Sequence, residues 1–199
     1  MIIATEDELS KGVAEKLIQQ YTNMSINLKL RQGGYGYLRT NLQKFYGIAK
    51  HTFFLLMTDL DKDPCPLSLI HDWHKSIPIP ASNNMIFRVV VREVEAWLLA
   101  DHQAMGLFLN TTNLPLDADV IKNPKDELLK LAQKAPKEIK KYLIAKKGSI
   151  TSRGVGIGYN AILCDFVQKS WDPERAMEHS NSLKRCCNRL KSFTLQGKK

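Results

Sequence analysis

Residues 52–64 read TFFLLMTDLDKDP, an apolar run that ends abruptly in three aspartates at alternate positions, Asp59, Asp61 and Asp63. An unbroken apolar stretch of strand length, closed by Asp and Pro, predicts a strand buried on both faces of a parallel sheet. Acids at the carboxyl end of such a strand stand where open α/β sheets place their sites. Carboxylates held close together repel one another and lose hydration, so the cluster predicts a bound cation. Oxygen donors alone favour Mg²⁺, Mn²⁺ or Ca²⁺ over zinc.

Outward from this strand the pattern alternates between sheet and helix. Residues 1–5 predict a short strand, and 8–21 a helix with Leu9, Val13, Leu17 and Ile18 at helical spacing. Residues 24–30 alternate Met24, Ile26, Leu28 and Leu30, the period of a half-buried strand. The QGGYG of 32–36 predicts a flexible turn, and 37–50 a helix. Two prolines break the chain at 63–66, 67–75 predict one or two helical turns, and 77–84 a loop. MIFRVVV at 85–91 predicts another strand and 93–108 a helix, with Trp97 read as core and Asp101 as an orienting or surface acid. The order implies an α/β fold with a mostly parallel, Rossmann-like sheet and helices on both faces. Beyond 108 only helices are expected. They fall at 123–134 with Asn123 as N-cap, at 137–145, at 159–169 and at 173–192, with a basic glycine-rich loop over 146–158. The expected division is a catalytic core over 1–108 and a basic helical part over 109–199, packed on that core.

Composition narrows the setting. The chain has 199 residues, 44% of them hydrophobic and 25% charged, enough to bury a full core. No apolar run nears the length of a membrane span, and MIIATEDEL lacks the basic start of a signal peptide. Four cysteines without CxxC spacing suit a reducing cytoplasm. Residues 1–121 hold 11 Lys and Arg against 13 Asp and Glu, a net of −2, while 122–199 hold 18 against 7, a net of +11. The basic half implies a polyanionic partner. Tyr142, Tyr159 and Arg153 within it suit nucleic acid, since rings stack bases and guanidinium pairs phosphate.

Acids follow three strands: Glu6 with Asp7 and Glu8, then Asp59, Asp61 and Asp63, then Glu93 and Glu95. Brought together at neighbouring strand ends they would form one metal pocket. Two Mg²⁺ or Mn²⁺ ions about 4 Å apart would there activate a water and stabilise the leaving oxygen of a phosphodiester. An EF-hand loop counted from Asp59 would need Gly where Pro64 stands and Glu where Ile70 stands, so that reading fails. A haloacid-dehalogenase-type phosphatase pattern has Asp63 at its fifth position in place of Thr or Val.

ATEDELSKGVAEKL, LLMTDLDKDPCP and RVVVREVEAWLLAD, taken in order, resemble the Toprim (topoisomerase–primase) pattern over roughly residues 1–101. The likeness is greatest to small Toprim-like proteins encoded beside ABC- or SMC-type ATPases in bacterial defence operons. The nuclease domains of the overcoming-lysogenization-defect family are related to these. The resemblance implies that Glu6 is the first-strand catalytic acid, that Asp59 and Asp61 are the DxD metal ligands, and that Glu93 and Glu95 complete a second metal site. Asp7 stands where the pattern has Gly, which leaves Glu6 and Glu8 both open as first ligand, and Asp63 is an additional acid beside the ligands. A lysine near the metals in some Toprim nucleases makes Lys125, Lys146 and Lys147 candidates for charge stabilisation. Arg88, Arg92, Lys146, Lys147 and Arg153 are candidates for the nucleic-acid backbone. No GxxxxGK(S/T) loop is present, so ATP hydrolysis would belong to a partner.

The expectation is thus a cytoplasmic Mg²⁺- or Mn²⁺-dependent endonuclease acting on DNA or RNA, tRNA included. It would be the effector of an ATPase-controlled anti-phage system, with oligomerisation open. The alternatives are a non-catalytic Toprim-fold regulatory or nucleic-acid-binding subunit and a metal-dependent phosphatase or phosphotransferase.

Overall fold

A computed structural model describes residues 1–30, 33–79, 84–145 and 154–196, with backbone alone for 194–196. The order is β1 (Ile2–Ala4), α1 (Glu8–Tyr21), β2 (Leu28–Leu30), α2 (Gly34–Thr40), α3 (Leu42–Ala49), β3 (Phe54–Asp59), α4 (Pro66–Trp73) and β4 (Met85–Val90). Helices follow: α5 (Val94–Leu99), α6 (His102–Leu109), a 3₁₀ turn at Ala118–Val120, α7 (Pro124–Ala132), α8 (Lys137–Leu143), α9 (Tyr159–Lys169), α10 (Pro173–Ala176) and α11 (Asn181–Gln196). The fold is α/β, with four parallel strands in the order β2-β1-β3-β4. Among the described residues no helix is long and apolar enough to cross a membrane.

The chain forms two compact units, one of Met1–Val91 with Cys186–Lys199, the other of Arg92–Arg185. These units divide the chain at 91/92, where the sequence reading sets its division at 108.

In the first unit the period-2 alternation of β-strands sorts side chains between two layers. Ala4, Phe54, Leu56, Met85 and Val89 join Leu38 of α2, Leu42 and Phe45 of α3, and Leu69 and Trp73 of α4 in one cluster. Ile3, Leu55 and Met57 alternate with these and are also fully buried. α1 packs on β1 and β3. Phe193 of α11 meets Phe53 edge-on at 5.0 Å. α1 starts where expected because Asp7 Oδ1 accepts the Ser10 N–H at 2.8 Å, and it buries Leu9, Val13, Leu17 and Ile18.

Three local expectations are corrected. The strand expected over 24–30 shortens to Leu28–Leu30, which among the described residues is an edge strand paired with β1, and Leu28 stays half exposed. An edge position offers the outer alternating residues no buried face. Of the expected glycine turn, Gly34 and Gly36 lie in α2, with Gly33 at φ +68 as its N-cap; Gln32 lies outside the described residues. The single helices expected over 37–50, 93–108 and 173–192 are each two. The first breaks at Asn41 between α2 and α3. Asp101 Oδ1 accepts the Ala104 N–H and restarts the second as α6, and Ser180 Oγ accepts the Leu183 N–H and opens α11. Apolar periodicity runs through such restarts, which only the caps reveal.

In the second unit α5 is buried along its whole length. Trp97 is fully buried and donates to Ser182 Oγ, while Trp171 donates to the Trp97 carbonyl at 3.0 Å.

Candidate functional site

Parallel strands in the order 2-1-3-4 run to opposite sides from a switch point between β1 and β3, and the carboxyl ends at such a point are where open α/β sheets place their ligands. The loop after β1 carries Glu6 and the end of β3 carries Asp59. Glu6 Oε1 accepts the backbone N–H of Asp59 at 3.0 Å and the hydroxyl of Thr58. Both bonds fall on Oε1. Burial pushes the Glu6 carboxyl above its ordinary range. The Thr58 hydroxyl and Asp59 N–H pull it back, and the charges of Asp61 and Asp7 push it up again.

The three neighbouring acids are now distinguishable. Asp7, standing where the Toprim pattern has Gly, caps α1. Glu8 lies in the first turn of α1 and pairs with Lys11. Glu6 bonds to the end of β3. Asp61 holds φ +48, a left-handed conformation that Asp and Asn tolerate better than most residues. It lies in a turn in which Asp63 N–H donates to the Leu60 carbonyl.

Glu93 and Glu95 belong to the second unit, Glu93 being the third residue after β4 in the chain. Glu93 Oε2 accepts the backbone N–H of Lys125 at 2.9 Å, at the first turn of α7. Asn123 stands at the N-cap of α7 as expected but makes no side-chain cap bond, and Glu93 supplies a carboxylate to that helix start. Glu95 is 1% exposed; its Oε1 accepts the Tyr159 hydroxyl at 2.9 Å and lies 3.3 Å from Lys125 Nζ. Burial raises its carboxyl, Lys125 opposes this, and Glu93 adds to it. Tyr159, expected as a stacking ring, is buried and holds Glu95 instead.

Asp101 is fully buried, neither a surface acid nor a ligand holder. Arg175 Nε and Nη2 bind its two oxygens at 2.9 and 2.7 Å, and the Asp172 N–H adds a third bond. Arg88, expected to face phosphate, buries its Nε, and its charge opposes the rise that burial imposes on the Cys186 thiol. Arg92 is half-buried. Lys146, Lys147 and Arg153 lie outside the described residues; the chain on either side is joined by the Ala145 N–H on the Gly154 carbonyl at 2.9 Å.

Sequence reasoning missed Thr58, Arg175 and the role of Tyr159. Thr58 carried one signal, a hydroxyl in an otherwise apolar strand beside Asp59. Arg175 carried none.

Among the described residues, no three His, Cys, Asp or Glu side chains gather as a metal-holding group. Mg²⁺ sheds water reluctantly and is commonly held by one or two carboxylates, waters and substrate phosphate. The acids of the first unit fit such an ion by donor type and by their mutual repulsion. No protein family, curated protein or solved structure matches this chain.

Proposed function

We propose that the chain is a Toprim-like, Mg²⁺- or Mn²⁺-dependent endonuclease of DNA or RNA. It would act in the cytoplasm as the effector of an ABC/SMC-type ATPase in anti-phage defence. The observation that carries the reading is the bond from the Asp59 N–H to Glu6 at the switch point of the sheet. It joins the first acid of the Toprim-like pattern to the first acid of its DxD. The net charge of +11 over residues 122–199 supports a polyanionic substrate. The ATPase and the defence role rest on the resemblance alone.

In this reading the chain holds carboxylates ready at a fixed place. Thr58 and the Asp59 N–H orient Glu6 through one oxygen, so its reach does not depend on side-chain freedom. Asp59 and Asp61 supply the remaining negative charge. A bound divalent ion supplies Lewis-acid polarisation of the phosphate and a more acidic water. Glu93 and Glu95 remain the candidates for a second ion, and Lys125 for stabilising developing charge.

The second reading, a non-catalytic Toprim-fold subunit, draws on Asp7, which stands where the pattern has Gly and caps α1. One experiment separates the readings. The protein, alone and with a co-purifying ATPase, is incubated with plasmid DNA, total tRNA and a small phosphate ester in EDTA, Mg²⁺ or Mn²⁺. Metal-dependent cleavage of a nucleic acid is expected. Salt-sensitive binding without cleavage in any metal would favour the regulatory subunit, and turnover of the ester alone the phosphatase.

A further inference from the structure

We propose that Lys134, Lys137, Lys141 and Tyr142 form a surface of the second unit that binds single-stranded nucleic acid. The inference deepens the reading of a nucleic-acid substrate and rests on it. All four residues are exposed, Tyr142 at 44%. Lys137 and Lys141 stand one turn apart on α8, so their ammonium groups share a side of the helix. Residues 133–145 hold four lysines and one acid, Glu138, which pairs with Lys141. Lys140 is occupied differently, its Nζ donating to the Gln133 carbonyl at 2.8 Å. Lys134 and Lys137 form no ion pair with a carboxylate among the described residues.

The ring of Tyr142 is held in place from behind. The Gly156 N–H donates to the Leu143 carbonyl at 2.9 Å, and Ile144 bridges Val155. A Cβ at Gly158 would stand 2.5 Å from Tyr142 Cδ1, and one at Gly156 2.2 Å from the Tyr142 carbonyl oxygen. The glycine backbone thus lies directly on Tyr142, closer than any side chain would permit. Lys141 Nζ lies over the ring, 5.0 Å from its centroid, where a stacking base would displace it toward the flanking phosphate. An exposed ring of fixed position among lysines matches an unpaired base flanked by phosphates. Bases stacked within a duplex present only edges, so duplex would engage the lysines and not the ring.

The test is fluorescence anisotropy in EDTA, where turnover is suppressed, using labelled single strands of roughly 20 nucleotides and duplexes of equal length. Tighter binding of the single strand is expected, with about a tenfold loss in Tyr142→Ala and recovery in Tyr142→Phe. Lys134→Gln/Lys137→Gln, two surface changes that leave the packing alone, should reduce the salt slope of single-strand binding by about 1.4. Equal affinity for duplex with no effect of Tyr142→Ala, or an unchanged salt slope in the glutamine pair, would overturn the surface. Intact binding that responds to these variants, together with no cleavage in any metal, would overturn the nuclease and leave the surface standing.

Discussion

Glu6 is the residue at which the chemistry becomes testable by proton linkage. A cation needs the carboxylate, and burial has raised the pH at which the carboxylate forms. Divalent-ion affinity should therefore fall as pH drops through that raised pKa. Thr58→Val removes a bond that favours the charged form, so the midpoint of Mn²⁺ binding should move to higher pH. A midpoint that stays or falls in Thr58→Val would contradict the bond's role. Glu95 gives a stability counterpart. Its folded pKa is raised, so the folded state holds its proton more tightly than the unfolded chain does. Its contribution is greatest below the ordinary glutamate value and is lost as pH rises toward the raised one. The Tm of the wild type, relative to Glu95→Gln, should decline over that window; a rising difference would reverse the assignment. Cys186 offers a simpler check. Burial pushes its thiol up to about 11, against the opposing influence of Arg88, while Cys65 is exposed. Iodoacetamide at neutral pH should label Cys65 in the native protein and Cys186 only after unfolding.

At the scale of elements, caps account for much of what the chain does locally. Asp7→Ala should cost about 1 kcal/mol through loss of the α1 cap, read in a urea titration, while leaving the acids at the switch point in place. Asp101→Ala should cost more, about 3 kcal/mol, because Arg175 and the first turn of α6 lose their shared acceptor. α1 and α9 were legible to the residue, because an apolar stripe and a clear start coincide in each. β3 was legible because its apolar run ends in charge. The edge strand β2 was legible only in part, since alternation reports a capacity for burial and not the presence of a neighbour. The breaks at Asp101 and Ser180 were not legible. Either residue within a helical pattern reads as an ordinary polar position until its side chain is seen to accept a backbone N–H.

At the scale of the whole molecule, the sequence gives the site unevenly. Acids after buried strands are a readable signal, because parallel-sheet topology alone makes their ends converge. Glu6 and Asp59 are joined in this way. The partners that hold acids in place were not readable, because Thr58, Tyr159 and Arg175 are ordinary residues whose roles come from distant contacts 52, 64 and 74 residues away in the chain. The basic half of the chain was plain from counting, but counting could not separate the buried Tyr159 from the exposed Tyr142. Whether Glu6 after β1 and the acids at the end of β3 make a metal-dependent phosphodiesterase is decided by cleavage of plasmid DNA and tRNA, with the ATPase partner present, by the wild type and by Asp59→Asn/Asp61→Asn. Asn keeps the left-handed backbone of Asp61 while removing both charges. Cleavage that requires Mg²⁺ or Mn²⁺ and is lost in the folded double variant is the predicted result; cleavage that survives in the double variant would contradict the assigned site.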